Sequence, residues 1–206
     1  MDRHLKRMAT AQRMQQTGLA LFHSKGYYNT SVDDVLEELD MSKGAFYYHF
    51  KSKEDFFVQI VQTHLAHAMY TKLIAPVQGQ DNPLMQIMTC FESALNAAIN
   101  DQADVGCMLS GFLCEFNGRN ENIMEHLRDV LNVWEVHLIT SLQKGKASGY
   151  LDRHVDTEAV ATYVISAYFG IRTLMAGTSR PSTRKYRFME QLKHYFRTIA
   201  SKETVL

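Results

Sequence analysis

Apolar residues recur at intervals of three and four along most of this chain, and this helical period is the feature that most limits its fold. No segment keeps the apolar–polar alternation that is typical of a half-buried strand. The three prolines, Pro76, Pro83 and Pro181, all fall between periodic segments, where helices are expected to begin or end. The sequence therefore predicts an all-α protein.

The predicted helices are short before residue 52 and long and apolar after it. Their ranges are 3–25, 32–39, 43–49, 53–74, 82–101, 106–117, 120–147, 156–177 and 182–201. This change in length predicts two domains, residues 1–52 and residues 53–206. The most apolar stretch, 159–177, contains Arg172 and is expected to be a buried helix and not a membrane span.

Two short helices joined by a tight turn are predicted in the middle of the first domain. Thr30 or Ser31 makes a good start for the first of them. Asp40 tolerates the left-handed backbone of a tight turn, and Ser42 can cap the next helix by accepting a backbone N–H. This is the helix-turn-helix pattern, whose second helix enters the major groove of DNA. A small helical subdomain with aromatic packing has the same pattern, so period and charge leave both interpretations open.

Basic and acidic residues of this region fall on different helices. Basic residues lie along the first helix and on and after the proposed recognition helix: Arg3, Lys6, Arg7, Arg13, Lys25, Lys43, Lys51 and Lys53. Acidic residues cluster on the helix between them, which is expected to face away from phosphate: Asp33, Asp34, Glu37, Glu38 and Asp40. A formal net charge of +0 excludes a uniformly basic coat but allows one positive face.

The proposed recognition helix has one face for its own domain and one for DNA. Phe46 and Phe50 are four residues apart and are expected to face inward. Gly44 permits close approach of the backbone, and Lys53 lies in the first turn of the following helix. The remaining positions face the groove and the phosphates: Ser42, Lys43, Ala45, Tyr47, Tyr48 and His49.

The stretch from Ala20 to Phe57, ALFHSKGYYNTSVDDVLEELDMSKGAFYYHFKSKEDFF, resembles the DNA-binding region of the TetR-type bacterial transcriptional regulators. The matching positions are Gly26, Tyr27, Thr30, Ser42, Gly44, Phe46, Tyr47, His49, Phe50, Lys53 and Glu54. The resemblance implies phosphate contacts by Thr30, Tyr47, His49 and Lys53. It places Lys43, Gly44, Ala45 and Tyr48 near base edges. Leu39 and Asp40 depart from the usual Ala and Gly of the family, but Asp still tolerates the turn.

The second domain resembles the effector-binding and dimerisation domain of that family more loosely, most clearly in GCMLSGFLCEF. The resemblance implies that a small effector shifts the spacing of two DNA-binding domains in a homodimer and so releases the DNA. No cofactor is implied. Candidate ligand or sensor residues are Cys107, Met108, Phe112, Trp134 and Tyr163. Such apolar and aromatic stripes are more often plain core than pocket wall.

The dimer interface is predicted on the last two helices, by the same resemblance. Its candidates are Val160, Val164, Ala167, Gly170, Ile171, Leu174, Leu192 and Tyr195. Two-fold symmetry then predicts a palindromic operator, with half-sites about one helical turn apart or a multiple of it.

Cysteine offers a second route to regulation. Cys107 follows Gly106 near a predicted helix start, where the helix dipole lowers the pKa of a thiol. Some relatives with Gly-Cys at this point sense oxidants or electrophiles, which makes an oxidation switch one interpretation. The other is a buried small apolar residue, the commoner state of free cysteine. Cys90 and Cys114 are predicted to be core.

Other functional classes have less support in the sequence. His64 and His67 could share a metal, but no further ligand completes a site, so no metal is predicted. No nucleophile elbow, phosphate-binding loop or dinucleotide fingerprint is present, which argues against an enzyme. The alternative function is a helical protein that binds small molecules without recognising an operator. No apolar run follows the first basic residues, so no signal peptide is expected. Three cysteines without scaffold spacing suit a reducing cytoplasm, and no membrane partner is predicted.

Overall fold

A computed structural model describes residues 3–79, 81–100 and 107–201. It confirms an all-α fold. The helices are α1 (Arg3–Lys25), α2 (Val32–Leu39), α3 (Lys43–His49), α4 (Lys53–Ile60), α5 (Ala66–Met69), α6 (Pro83–Asn100), α7 (Met108–Phe116), α8 (Glu121–Ala147), α9 (Thr157–Ala176) and α10 (Pro181–Ile199). Within the described ranges, the one extended pairing is an isolated bridge between Leu151 and Ala200.

The predicted helix over 53–74 is interrupted twice. π-helical turns at Val61–Leu65 and Tyr70–Ile74 flank α5, and a 3₁₀ turn at Ala75–Val77 ends this helical segment. His64 lies in the first π-helical turn, and its Nε2 is 3.2 Å from Oε1 of Gln15 on α1. His64 thus contacts a polar side chain of α1.

The chain packs as two compact units that do not divide at residue 52. The N-terminal unit comprises Met1–Ala68 and Met108–Val130, and the C-terminal unit comprises Met69–Cys107 and Leu131–Leu206. Helix α7 and the start of α8 therefore belong with the first four helices. The partition follows packing, whereas the boundary predicted after residue 52 followed helix length.

An aromatic core holds the N-terminal unit together. Helix α1 packs on α2, α4 and α7. The ring of Phe22 lies 5.3 Å from Phe57, and Phe57 lies 5.0 Å from Phe112 on α7. Gly18 lets α1 approach α4 closely, because a Cβ there would lie 2.5 Å from the ring of Phe56.

The core of the C-terminal unit is built by α6, α8, α9 and α10. Helix α10 packs on both α9 and α6, and Trp134, Leu138 and Phe196 are buried. Helix α9 is long and apolar enough to cross a membrane by composition alone, with a mean hydropathy of 1.3. Its buried face includes Arg172, as expected for the core helix that the sequence predicted.

Candidate nucleic-acid interface

Side-chain caps define where α2 begins and where the turn to α3 lies. Ser31, and not Thr30, is the N-cap of α2: its Oγ accepts from the backbone N–H of Asp34, and the carboxylate of Asp34 accepts from the backbone N–H of Ser31. Helix α2 ends at Asp40, whose φ of 52° and ψ of 50° are left-handed. Ser42 caps α3 by accepting from the N–H of Ala45 at 3.3 Å. These local interactions produce the predicted helix-turn-helix.

The inner face of α3 anchors the helix through aromatic rings, as predicted. Phe46 has 0% of its surface exposed, and Phe50 has 2%. Both rings pack against Phe56 of α4, with centroids 5.2 Å and 4.6 Å away. Helix α3 is too short to be stable alone, so this packing fixes its position.

The outer face of α3 is accessible. Tyr47 and Tyr48 are 58% and 65% exposed, and Ser42, Lys43 and Gly44 are also exposed. Ala45 and His49 are half-buried at the edge of this face. A Cβ added to Gly44 would meet only Oγ of Ser42, at 3.8 Å, so the backbone here is open to a close approach from outside. We call these seven residues the α3 surface.

Arg7 extends the α3 surface onto α1. Its guanidinium carbon lies 5.0 Å from the ring centroid of Tyr48, within cation–π range. The sequence placed Arg7 among the basic residues of the first helix but did not predict that it lies beside the recognition helix. That neighbourhood depends on how α1 crosses α3, which no local pattern encodes.

One acidic residue lies closer to the α3 surface than predicted. Oδ2 of Asp33 on α2 is 2.9 Å from Nζ of Lys43, and both side chains are largely exposed. The hydrogen bond from Lys43 to Asp33 raises the pKa of the lysine. The expectation that all α2 acids face away from phosphate is thus wrong for Asp33. Exposed pairs of this kind are weak and screened by salt, so a phosphate can compete for Lys43.

Thr30 and Lys53 are engaged within the N-terminal unit. Thr30 is 1% exposed, and its hydroxyl donates to the carbonyl of Gly26 at 2.8 Å. Nζ of Lys53 donates to the carbonyl of Tyr27 at 2.6 Å and lies 4.0 Å from the centroid of that ring. Burial lowers the pKa of Lys53. The Thr30 side chain therefore stabilises the 26–30 loop and is not part of the accessible surface. Lys53 is half-buried against the same loop.

The surroundings of His49 favour the neutral form of its ring. Burial and then the positive charge of Arg7 lower its pKa below the usual 6.5. At neutral pH the ring is therefore uncharged and can donate one hydrogen bond.

Hydrogen bonds join α7 to the 26–30 loop, and the start of α8 to α4, within the N-terminal unit. Oε1 of Glu115 accepts from the backbone N–H of Tyr28 at 3.2 Å. The carboxylate of Glu54, at the start of α4, accepts from Asn120 at 3.0 Å and from Asn122 at 2.7 Å. Glu115 thus ties α7 to the 26–30 loop, and the two asparagines tie the start of α8 to α4.

The five predicted ligand or sensor residues are divided between the two units, with Met108 and Phe112 in the N-terminal unit and the other three in the C-terminal unit. Phe112 packs on Phe57 in the N-terminal core, and Met108 is half-buried in the same unit. Trp134 is buried in the C-terminal core, and Tyr163 stacks at 4.5 Å on Tyr195 at the surface. The sequence placed these residues in one list because all are apolar or aromatic. In the structure some are buried in a core and others lie at a surface.

The three cysteines have three different environments. Cys90 is buried, as predicted, and burial raises its pKa to about 12. Cys107 is half-buried immediately before the first residue of α7. Cys114 is exposed, so its predicted place in the core is wrong: it lies on the solvent side of α7, opposite the face of Phe112 and Phe116.

A groove of about 610 Å³ runs along α6 in the C-terminal unit. Its walls include Thr71, Pro76, Met85, Gln86, Thr89 and Cys90. Its volume is in the range of pockets for small molecules. None of the five predicted sensor residues lines it.

The predicted dimer residues divide between core and surface. Val160, Val164, Ile171 and Leu192 are buried in their own chain, so their assignment to an interface is corrected. Ala167, Gly170, Leu174 and Tyr195 remain partly or fully accessible, and Leu174 is 52% exposed. Helix α9 is apolar on several sides, and periodicity alone did not distinguish its inner from its outer face.

Comparisons with known proteins agree with this architecture. A model of bacterial regulatory proteins of the tetR family matches residues 16–60, and a model of the tetracyclin repressor-like C-terminal domain matches residues 83–189. The HTH-type transcriptional repressor DhaR of Mycobacterium sp. strain GP1 is 22% identical over 166 residues, covering 81% of this chain and 82% of the relative.

Solved structures with the same fold include a TetR transcriptional regulator from Chloroflexus aurantiacus. Its TM-score is 0.84 at 22% identity, over 95% of this chain and 98% of that one. The reduced form of NemR from E. coli superposes with a TM-score of 0.79 at 19% identity, over 96% of this chain and 100% of that one.

Proposed function

Because this chain belongs to the tetR family of bacterial regulatory proteins, we propose that it is a cytoplasmic repressor that binds a palindromic operator as a homodimer and is released by a small effector. The observation that carries this proposal is the α3 surface. It is an exposed helix face with two tyrosines, a lysine and an open glycine, held rigidly by buried phenylalanines.

In this proposal, different residues of the α3 surface and its neighbours contact phosphates and bases. Tyr47, His49 and Arg7 carry donors towards phosphates on either side of the groove, and Lys53 supports the adjoining loop. Lys43, Gly44, Ala45 and Tyr48 lie against base edges, where a hydroxyl or ammonium can distinguish the base pairs.

The homodimer interface of this proposal is the accessible side of α9 and α10. Leu174, Gly170 and Tyr195 lie there, and Tyr163 stacks on Tyr195 beside them. Two copies related by a two-fold axis would present two α3 surfaces to successive major grooves.

Release follows when an effector prefers the conformation that binds DNA poorly. Helix α7 and the start of α8 are suited to transmit that preference, because Glu115 binds the 26–30 loop and Asn120 and Asn122 bind Glu54 of α4. Thiol modification of Cys107, next to the first turn of α7, is a second means of moving the same helix.

Protection of the protein's own upstream DNA from a nuclease tests the proposal. We expect two protected half-sites related by two-fold symmetry, about one helical turn apart or a multiple of it. Protection that is uniform along the fragment would instead support the alternative, a small-molecule-binding helical protein without operator recognition.

A further inference from the structure

We propose that the groove along α6 binds a neutral, mainly apolar molecule that carries a hydroxyl or N–H group, and that the side-chain oxygen of Gln86 accepts a hydrogen bond from that group. We call this cavity the α6 groove. The inference deepens the proposed function and rests on it in one respect, since the ligand would be the small effector of the repressor.

The α6 groove lies within the C-terminal unit, along one face of α6. Residues of α6 at helical spacing form a continuous wall: Gln86, Thr89, Cys90, Ser93, Ala94 and Ala97. Thr71, Lys72 and Pro76 line the groove from the helical segment that packs on α6. At about 610 Å³, the cavity has the volume of a site for a small molecule.

A hydrogen bond holds the two walls of the α6 groove together. Sγ of Cys90 donates to the backbone carbonyl of Lys72 at 3.0 Å. Burial raises the pKa of the Cys90 thiol to about 12, so the thiol stays protonated and remains a donor. Lys72 belongs to the π-helical turn at Tyr70–Ile74, and such turns are rare and often lie at functional sites. The groove is therefore preformed, and an unusual backbone turn is part of it.

Gln86 supplies the groove with a polar atom that has no partner. Its Oε1 is buried, and within residues 3–79, 81–100 and 107–201 it accepts no hydrogen bond. A buried carbonyl oxygen without a donor is unfavourable, and a ligand that donates to it removes that cost on binding. The last torsion of a glutamine side chain is broad, so the amide can turn towards a ligand in the groove. The unpaired oxygen thus selects a ligand with a hydrogen-bond donor.

The rest of the lining selects a neutral ligand with an apolar body. Pro76, Met85 and Ala94 provide apolar surface. Among the lining residues that the structure describes, one is basic and one is acidic, Lys72 and Asp81, so their formal charges sum to zero. Neither an anion nor a cation is favoured by this balance, whereas apolar walls with one polar contact are typical of small-molecule sites. Alcohols and phenols are the simplest molecules that meet these requirements.

Saturation-transfer NMR titrations of the full-length protein test the ligand class. Cyclohexanol and borneol carry a hydroxyl donor, whereas cyclohexanone and camphor have the same carbon skeletons and can only accept. Cyclohexanecarboxylate is the charged control. We expect saturable binding of both alcohols, with dissociation constants about three- to tenfold below those of the matching ketones, and weaker binding of the carboxylate than of cyclohexanol.

Two variants and a matched control locate the site. Gln86→Leu removes the acceptor and should raise the dissociation constants of the alcohols about three- to tenfold, with little change for the ketones. Ser93→Phe, at an exposed position of the groove wall, should fill the cavity and weaken alcohols and ketones alike. Gln191→Leu, at an exposed position on α10, should change neither. Because the oxygen lost in Gln86→Leu has no partner, its circular dichroism melt should be no lower than that of the wild type, which separates lost binding from lost folding.

The binding results decide the site by themselves. Equal affinities for alcohol and ketone, a carboxylate that binds as tightly as cyclohexanol, or unchanged alcohol binding in Gln86→Leu would overturn the ligand class. Full binding of all probes in Ser93→Phe would place them outside the α6 groove and overturn the site.

Operator binding, measured in parallel, separates this site from the proposed function. Alcohol at a saturating concentration should release the wild type from the operator, and the same concentration should release Gln86→Leu less. Alcohol binding without release would leave the site standing and end its role as the effector site. Specific operator binding in a protein that binds no alcohol would leave the repressor standing without this site. Alcohol binding in a protein without operator binding would do the reverse.

Discussion

Neighbouring residues on α3 have opposite roles. Phe46 is fully buried against Phe56, whereas Tyr47 is more than half exposed. The spacing of four residues between Phe46 and Phe50 was enough to predict which face of α3 is buried, because both lie on one side of any helix that contains them. Arg7 and Thr30 could not be placed in the same way. Their environments depend on how α1 crosses α3 and on how the 26–30 loop folds back on itself.

Gly44→Ala separates stability from DNA binding. A Cβ at this helical position meets open space, so the free energy of unfolding should rise by about 0.5–1 kcal/mol. The same methyl group would stand between α3 and DNA, and affinity for the operator should fall roughly tenfold, about 1.4 kcal/mol. Denaturant melts and DNA titrations measure the two effects. Gly111→Ala, at an equally open position on α7, should stabilise without weakening DNA binding. Unchanged affinity in Gly44→Ala would remove Gly44 from the interface.

His49 gives operator binding a dependence on pH. In the free protein burial and Arg7 hold its pKa below 6.5, and a phosphate beside the ring would favour the protonated form. DNA binding should therefore take up a proton and become tighter as pH falls from about 7.5 to about 6. His49→Gln should lose this part of the pH dependence, and His67→Gln, on α5, should keep it. An identical pH profile in His49→Gln would show that His49 does not contact phosphate.

At the scale of the helix, capping residues stabilise the helix ends, and glycine and proline determine where helices stop. The helix boundaries predicted from these residues agree closely with the structure, because capping and chain breaking are local effects. The π-helical turns were missed because the apolar period continues through them. The dimer face of α9 was partly misassigned because Val160, Val164 and Ile171 are apolar, like the residues of the outer face, and only packing distinguishes the two.

Ser31→Ala tests the capping box of α2. Losing the side-chain acceptor should reduce the free energy of unfolding by about 1 kcal/mol, measured by urea denaturation. The hydrogen bonds from Ser31 lower the pKa of Asp34 below 3.8, so the contribution is present above that pH and is lost as pH falls through the lowered pKa. The difference between wild type and variant should then shrink in acid. Ser24→Ala, an exposed helical serine of α1, should have little effect. An equal loss in both variants would argue against a capping role.

At the scale of the molecule, the chain has the tetR-family fold, and the α3 surface is exposed on its N-terminal unit. The sequence predicted this family, because the motif over residues 20–57 is long and specific. It did not predict that α7 would belong with the first four helices, since Tyr28 and Glu115, which join them, lie far apart in the chain.

Leu174→Arg should convert a homodimer into monomers. Leu174 is 52% exposed on the accessible side of α9, and a two-fold axis would bring the two introduced charges towards each other. The mass in solution, measured by light scattering after size-exclusion chromatography, should fall by half, and operator affinity should fall with it. Val136→Arg, at an exposed apolar position on α8, should remain dimeric. A dimer that tolerates Leu174→Arg would place the interface elsewhere.

Fluorescence anisotropy of the protein on its own upstream DNA, against a scrambled duplex of equal length, tests the central claim most directly. We predict affinity for the upstream DNA about a thousandfold above that for the scrambled duplex, and a steep loss of affinity for both between roughly 50 and 200 mM salt. Equal affinity for the two duplexes at every salt concentration would contradict a sequence-specific repressor.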